Sequence, residues 1–503
     1  MTPRRFSKLA WSSLSILAAL GCGGRPTPVS TVASPPPAPA PPAQAASDEG
    51  PDRTRLPTPA EIADFSPPVP ERWQLANGMA VYQVAQDSPL ASLLLVLPRG
   101  AATDPKAKAG LSALTIDLLD EGAGGKTALE LSDALQRLAT DFRAGVDVDY
   151  ALIGMDLLAE NFEASAELLA DIVRRPQLSA AEFTRRKTQR ISEALASESS
   201  PSHAREVLLQ QALFGDGYAG RLAFGTRSTL EKITFGDVKR HYSAIVAPEG
   251  ASLVLVGRID RADAERVLGK AFGDWRGKAT AEPAAVETGR PEPGLHLVDF
   301  SGATQSSIAV ARRAAPENSP EYFPGLIFSR AFGEAFTSRL NLNLREDKGY
   351  TYGARGGFRR YRNSGSFQLA ANVKSEVTRQ SIDEMLKELE DLCSSRPLTA
   401  EEHREAMNGL LLGYPARFER LDGVAAQYAT LPIYDRALDW FSRWPDQLGA
   451  QSLDAANELA RSYCNTGDYV VVVAGDLKQV EPTLAGLKLP SSVYDAQGNP
   501  VPR

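Results

Sequence analysis

The chain is poor in the residues that build metal sites and disulfide scaffolds. Its 503 residues hold only three cysteines and four histidines. Three cysteines exclude a disulfide-dense scaffold and any four-cysteine zinc or iron–sulfur site. The histidines are His203, His241, His296 and His403, and no two lie within five residues of each other. Neither common helical zinc pair therefore exists. His241, in DVKRHY at the end of a predicted helix, reads as a cap or surface residue. An excess of positive charge is also missing: 55 Lys and Arg stand against 62 Asp and Glu, a net charge of -7. That balance gives no basic footprint for nucleic acid. No G-x-S-x-G turn offers a serine nucleophile. Beyond the N-terminus no long apolar run follows, which excludes a polytopic membrane protein. The glycine cluster Gly122–Thr127 is no phosphate loop, because Asp120 stands where a further glycine is required. It reads as a helix end followed by Thr127 as the next N-cap.

What is present starts with an address. Arg4, Arg5 and Lys8 precede an apolar stretch from Leu9 to Leu20, too short to span a bilayer comfortably. Residues 1–25 read as an export signal ending in Ala19-Leu20-Gly21-Cys22, similar to a bacterial lipobox with Cys22 as the lipidated residue. Plain export and an uncleaved anchor are the alternatives. No aspartate follows Cys22, so the expected location is the bacterial envelope, as an outer-membrane lipoprotein facing the periplasm. Residues 26–59, rich in Pro and Ala, cannot bury a core and read as a tether. Cys393 and Cys464 remain; pairing in an oxidising compartment and two separate thiols are both open.

The rest, 43% hydrophobic over the whole chain, is long enough for large cores. It reads as a tandem repeat. RPQLSAAEFTRRKTQRI and RPLTAEEHREAMNGLLL place Pro176 and Pro397 221 residues apart, with Ser179 and Thr399 as N-caps. The closing strands ASLVLVGRID and DYVVVVAGDL place Gly257 and Gly475 218 residues apart. Gly78–Gly100 and Leu295–Ala314 each read as a strand pair around a turn. Leu111–Leu119, Ala128–Ala139 and Asn161–Val173 read as amphipathic helices. The expected fold class is α+β: two homologous domains, 60–280 and 294–490, each a mixed sheet covered by helices. A linker at 281–293 lets them form a clamshell around a cleft, and 491–503 is a tail.

The most informative segment is AFTSRLNLNLREDKGYTYGARGGF, residues 335–358. A helix runs into Arg345, Gly349 breaks it, and a β-rich run with Tyr350 and Tyr352 follows. Arg345 and Tyr352 can point into one space, offering a planar fork and a hydroxyl donor. Basic residues that favour a helix C-terminus explain the arginine equally well.

SRLNLNLREDKGYTYGA resembles the C-terminal-domain signature of the insulinase/pitrilysin-type zinc metallopeptidases, especially their mitochondrial processing peptidase-like branch. FGTRSTLEKITFGDVKRHYSAIVAPEGASLVLVGRID resembles the end of that family's first domain. The resemblance covers nearly all of 60–490. It implies a His-x-x-Glu-His motif on a first-domain helix, with two zinc ligands and a general base. In GLSALTIDLLDEG those positions fall on Ala113, Ile116 and Asp117, so the zinc functions are absent. Glu193, near the family's downstream glutamate ligand, reads as a helix surface residue. The resemblance thus implies a zinc-less subunit that binds no metal itself. Arg345 and Tyr352 would bind substrate carbonyls or steady a tetrahedral intermediate. A zinc-bearing chain of the same family would be its partner, and extended peptides its substrates. A non-catalytic scaffold that keeps the fold is the alternative, and an active peptidase with a rearranged site a third reading.

Overall fold

The computed structural model describes residues 65–287 and 291–502. The export signal, Cys22 and the 26–59 tether lie outside them. The first half contains β1 (Glu71–Gln74), β2 (Ala80–Ala85), β3 (Leu90–Leu97), α1 (Leu111–Ile116), β4 (Gly122–Ala123), β5 (Lys126–Thr127), α2 (Ala128–Arg137), β6 (Asp141–Val146), β7 (Ala151–Leu158) and α3 (Phe162–Arg174). It continues through α4 (Ala180–Ser197), α5 (Pro201–Phe214), α6 (Arg227–Glu231), α7 (Phe235–Ile245), β8 (Ser252–Gly257) and α8 (Arg261–Phe272). The second half contains β9 (Leu295–Asp299), β10 (Gln305–Ala314), α9 (Tyr322–Ser329), α10 (Arg339–Asn341), β11 (Thr351–Arg360), β12 (Gly365–Lys374) and α11 (Thr378–Cys393). It ends with α12 (Ala400–Leu412), α13 (Leu421–Ile433), α14 (Trp440–Gly449), α15 (Leu453–Ser462), β13 (Val470–Gly475), α16 (Leu477–Leu484) and β14 (Ser491–Tyr494).

Each half is built on a mixed six-stranded sheet, ordered β1-β2-β8-β3-β7-β6 in the first and β14-β9-β13-β10-β12-β11 in the second. The repeat is therefore a repeat of topology: β8 and β13, the closing strands, run parallel to β2 and β9. The strand pairs expected at Gly78–Gly100 and Leu295–Ala314 form as strands but are not neighbours. The closing strand inserts between the two members, because its VVV-type run is buried on both faces and belongs in a sheet centre. The sixth strand differs in origin. β1 comes from the N-terminal side, whereas β14 is drawn from the residues assigned to the tail and pairs parallel with β9.

Local signals act as the sequence predicts at several helix starts. Ser179 and Thr399 accept the N–H groups of Glu182 and Glu402, and Thr127 forms a reciprocal cap with Glu130. The glycine cluster before Thr127 is a tight hairpin, with Gly124 and Gly125 at positive φ.

Each sheet packs one face on helices of its own half and the other on a helix from the opposite half. Leu93, Leu95, Leu253 and Leu255 pack with residues of α3 and α8. The opposite face, with Leu94, Val254 and Val256, packs with Val424, Tyr428 and Leu431 of α13. Reciprocally, Ala309, Val470 and Val472 pack with Leu208, Leu209 and Leu213 of α5. A fully buried aliphatic or aromatic side chain contributes about 1.5–3 kcal/mol, so this exchange ties the halves firmly. Two homologous hairpin turns also meet. Both are closed by the same backbone bond, Asp147 N–H to Tyr150 O and Tyr361 N–H to Ser364 O, each 2.8 Å. Asp149 in the first turn accepts the Arg362 N–H of the second at 2.8 Å.

Candidate functional site

Helix α1 is where the zinc motif was expected. It is shorter than the predicted Leu111–Leu119 helix and is not amphipathic, since all six of its residues are buried. Gly110 opens it at φ +93°, in close contact with Gly225 and Leu230, a place no side chain fits. The Asp104 carboxylate accepts from the N–H groups of Gly110 (2.8 Å) and Ser112 (2.9 Å), satisfying donors of the first turn. Ser112 Oγ donates to Asp104 at 2.6 Å, and His241 Nε2 lies 2.8 Å from that oxygen. His241 is thus a buried core residue, not the cap or surface residue expected. Its burial depends on α7 packing against α1, a contact invisible in the local sequence. The trio is no hydrolytic triad, because the carboxylate holds the serine rather than orienting the imidazole from its far nitrogen.

Ala113 and Ile116 are buried and apolar. Asp117 closes α1 and is held by Arg190 Nε at 2.6 Å, with Arg186 at 3.5 Å. One turn on, Glu121 pairs with Arg185 at 2.5 Å and Arg186 at 3.5 Å. Burial opposes the Arg190 charge, but Asp117 outweighs it and holds the guanidinium above its ordinary value. The carboxylate's cation here is a guanidinium from α4. Glu193 lies exposed on the same helix and accepts from Gln189 at 2.9 Å. These residues do not fit a zinc ion: one carboxylate is engaged elsewhere and the other two motif positions have no donor atom. Among the described residues no group of three or more His, Cys, Asp and Glu is gathered for a metal. The arginine partners were missed by sequence reasoning, although Arg186 and Arg190, four apart in RRKTQR, mark one helix face.

The second candidate lies at the far edge of the second sheet. Between α9 and β11 the backbone passes through two π-helical segments, Arg330–Glu334 and Leu342–Asp347, flanking the single turn of α10. Such widened turns are frequent at functional sites. The first lies directly on β11, where a Cβ at Gly333 would stand 2.3 Å from the Gly356 nitrogen. Arg345 is in the second. Its guanidinium stacks on Phe336, 4.5 Å from the ring centroid, and contacts Glu346 at 3.3 Å. Gly349, at φ +64°, then turns the chain into β11. Tyr350 N–H returns to Leu344 O at 2.9 Å, so Arg345 and Tyr352 stand at the two sides of one tight turn. Tyr352 sits in a bulge between Thr351 and Ala354 and is 90% exposed. Thr351 Oγ1 and Asn341 Oδ1 receive the bulge's Gly353 and Ala354 N–H groups. The exposed Tyr352, and the Arg345 guanidinium stacked on the exposed Phe336, offer a hydroxyl, a cation and an apolar ring to a partner.

Cys393 and Cys464 form a disulfide with a Cα–Cα distance of 6.0 Å, linking the end of α11 to the loop after α15. Its Cα spacing is ordinary for such a bond.

Two family profiles match the chain: Insulinase (Peptidase family M16) over residues 80–227, and the Peptidase M16 inactive domain over 232–410. The Bacillus subtilis protein named uncharacterized zinc protease YmxG is 22% identical over 372 residues, covering 72% of this chain and 88% of that protein. The Helicobacter pylori protein named non-peptidase homolog YmxG is 20% identical, covering 79% of this chain and 92% of that one. The crystal structure of a peptidase M16 inactive domain from Pseudomonas fluorescens superposes with a TM-score of 0.73 at 22% identity, over 81% of this chain and 98% of that one. A protease structure from Helicobacter pylori gives 0.75 at 16% identity, over 82% and 100%. With both halves matched and the topology shared, the chain belongs to the insulinase (M16) peptidase family, as a non-catalytic, peptidase-like member.

Proposed function

We propose that the chain is a non-catalytic, substrate-binding subunit of an insulinase-like zinc metallopeptidase, working on extended peptides beside a zinc-bearing partner of the same family. One contrast carries this reading. The motif helix is sealed and tied by Asp117 to Arg190, while Tyr352 at the opposite edge is 90% exposed. A fold kept for packing alone gains nothing from an exposed tyrosine on a braced bulge. Arg345 and Tyr352 would donate to peptide carbonyls and to the oxyanion that forms when the partner chain cleaves, the kind of contact that gives the largest single contribution in acyl transfer. The Cys393–Cys464 bond supports an oxidising compartment. With Cys22 as lipid anchor, the location we propose is the periplasmic face of the outer membrane.

The test is native co-purification through this chain, with mass spectrometry and metal analysis. A stoichiometric partner carrying His-x-x-Glu-His, with zinc only in the complex, is the expected result. Isolation alone or with unrelated envelope proteins would replace this reading with the scaffold one. Zinc in equal amount on the isolated chain would overturn both.

A further inference from the structure

The two sheets place an arginine at the same point of the same row. In the first sheet, Tyr82, Val254, Leu94, Gly154 and Arg143 stand side by side across β2, β8, β3, β7 and β6. In the second, the row is His296, Val472, Ala309, Ala370 and Arg355 across β9, β13, β10, β12 and β11. Cross-strand partners share a face, so each arginine lies on the side that the exchanged helix covers. The neighbouring rows also correspond. Ser92 and Asp156 of the first match Ser307 and Asn372 of the second.

Arg143 is neutralised twice: by Asp156 at 2.6 Å on the adjacent strand, and by Asp422 at 3.6 Å, the second residue of α13. The counterparts of both acids are neutral. Asn372 stands for Asp156, and Ser202, the second residue of α5, stands for Asp422. These two bond to each other, Ser202 Oγ donating to Asn372 Oδ1 at 3.1 Å. The Arg355 side chain is exposed and has no hydrogen bond or ion pair among the described residues. The second half has the arginine without either acid. Arg355 lies three residues after Tyr352, on the order of 10 Å along the strand.

We infer that Arg355 is a carboxylate-binding position for the peptide: it takes an acidic side chain or the C-terminal carboxylate where the first half has Asp156 and Asp422. This rests on the peptide-binding reading above. The guanidinium fork matches a carboxylate in two bonds, and the Asn372 amide nitrogen adds a neutral donor. Arg355 would thus select charge, while Arg345 and Tyr352 would read the backbone.

The experiment uses the full chain and fluorescence anisotropy with three labelled extended peptides of equal length. One carries an internal Asp and an amidated C-terminus, one is neutral with a free C-terminus, and one is neutral and amidated. Wild type should bind one carboxylate peptide about tenfold tighter than the neutral amide. Which one does so tells side chain from C-terminus. Arg355→Gln should erase that preference and leave the neutral peptide unchanged. Equal binding of all three by wild type, or a preference that survives R355Q, overturns the proposal while leaving peptide binding intact. No binding of any peptide, the neutral one included, overturns the peptide-binding reading and this inference with it. Asn372→Asp is a second check that needs no ligand. By restoring the first half's acid it should raise Tm by about 1 °C and remove the peptide preference. A lowered Tm would show that Arg355 is not free to pair.

Discussion

Each half locks a helix beside its sheet with a charge pair, and the two pairs run in opposite order. In the first, the acids Asp117 and Glu121 follow α1 and the arginines lie on α4. In the second, the arginine is Arg339 on α10 and the acid is Glu402 on α12, the helix that corresponds to α4. Arg339 is 4% exposed, meets Glu402 at 2.5 and 2.7 Å, and donates to the carbonyls of Arg396 and Pro397. At Asp117 the cation is a guanidinium from α4. The two clamps differ in depth, and depth sets the expected loss. Removing Arg339 as Ala leaves Glu402 without its cation, held only by Thr399, and two carbonyls unpaired, a loss of about 3–5 kcal/mol by chemical denaturation. Asp117→Ala, where the arginines keep partial contact with water, should cost about 2–3 kcal/mol. If the two variants were equally stable, the depth argument would fail.

A second contrast concerns how the helices before the closing strands are tied. In the first half, Tyr242 of α7 donates its hydroxyl to Val173 O of α3 at 2.8 Å, and burial pushes that phenol up to about 12. In the second half, α11 and the end of α15 are joined covalently by Cys393–Cys464 across 71 residues. A hydrogen bond contributes about 1 kcal/mol and a disulfide about 2–4. Cys393→Ser with Cys464→Ser should therefore lower stability by about 2 kcal/mol or more, and Tyr242→Phe by about 1. Reducing agent should reproduce the first loss in wild type and leave the double variant unmoved.

Sequence alone made the local and periodic features legible. Ser179, Thr399 and Thr127 cap helices because capping involves a residue and its third neighbour. The repeat was legible because β8 and β13 carry the same buried run before a glycine. What remained hidden depends on partners far along the chain. β14 joins β9 across nearly two hundred residues, His241 is buried only because α1 covers it, and the cysteine pair needs two helices brought together. The site divides the same way. Ala113, Ile116 and Asp117 were singled out only through the family resemblance, and Arg345 and Tyr352 first as a helix end beside a strand start. Their surroundings, the guanidinium of Arg190 and the ring of Phe336, were not.

The meeting of the two hairpin turns supplies a pH test of the contact between halves. Burial pushes the Asp149 carboxyl from 3.8 up to about 6, with the carboxylates of Asp147 and Glu317 adding to it and the Arg362 N–H opposing. Its second oxygen is buried without a partner. The folded protein therefore favours the protonated form. Stability from this group is complete below about pH 4 and is lost as pH rises through about 6. Asp149→Asn keeps the oxygen that accepts from Arg362 and removes the charge. It should gain about 1–2 kcal/mol at pH 8 and nothing at pH 4. A gain independent of pH would mean that the turns are held by shape and not by this carboxyl.

The smallest effect on stability belongs to the residue with the largest proposed effect on function. Tyr352 is 90% exposed, so Tyr352→Phe should change stability by less than about 0.5 kcal/mol. In a complex reconstituted with the zinc-bearing partner proposed above, the same change should lower kcat about tenfold or more, because in that proposal the lost hydroxyl acts on charge that develops only in the transition state. A matched substitution in the first half, Tyr82→Phe, lies on the face packed by α13 and should leave kcat alone. If Tyr352→Phe left kcat unchanged in a folded, assembled complex, the bulge would be a structural feature only. The functional asymmetry between the halves would then rest on the sealed motif helix by itself.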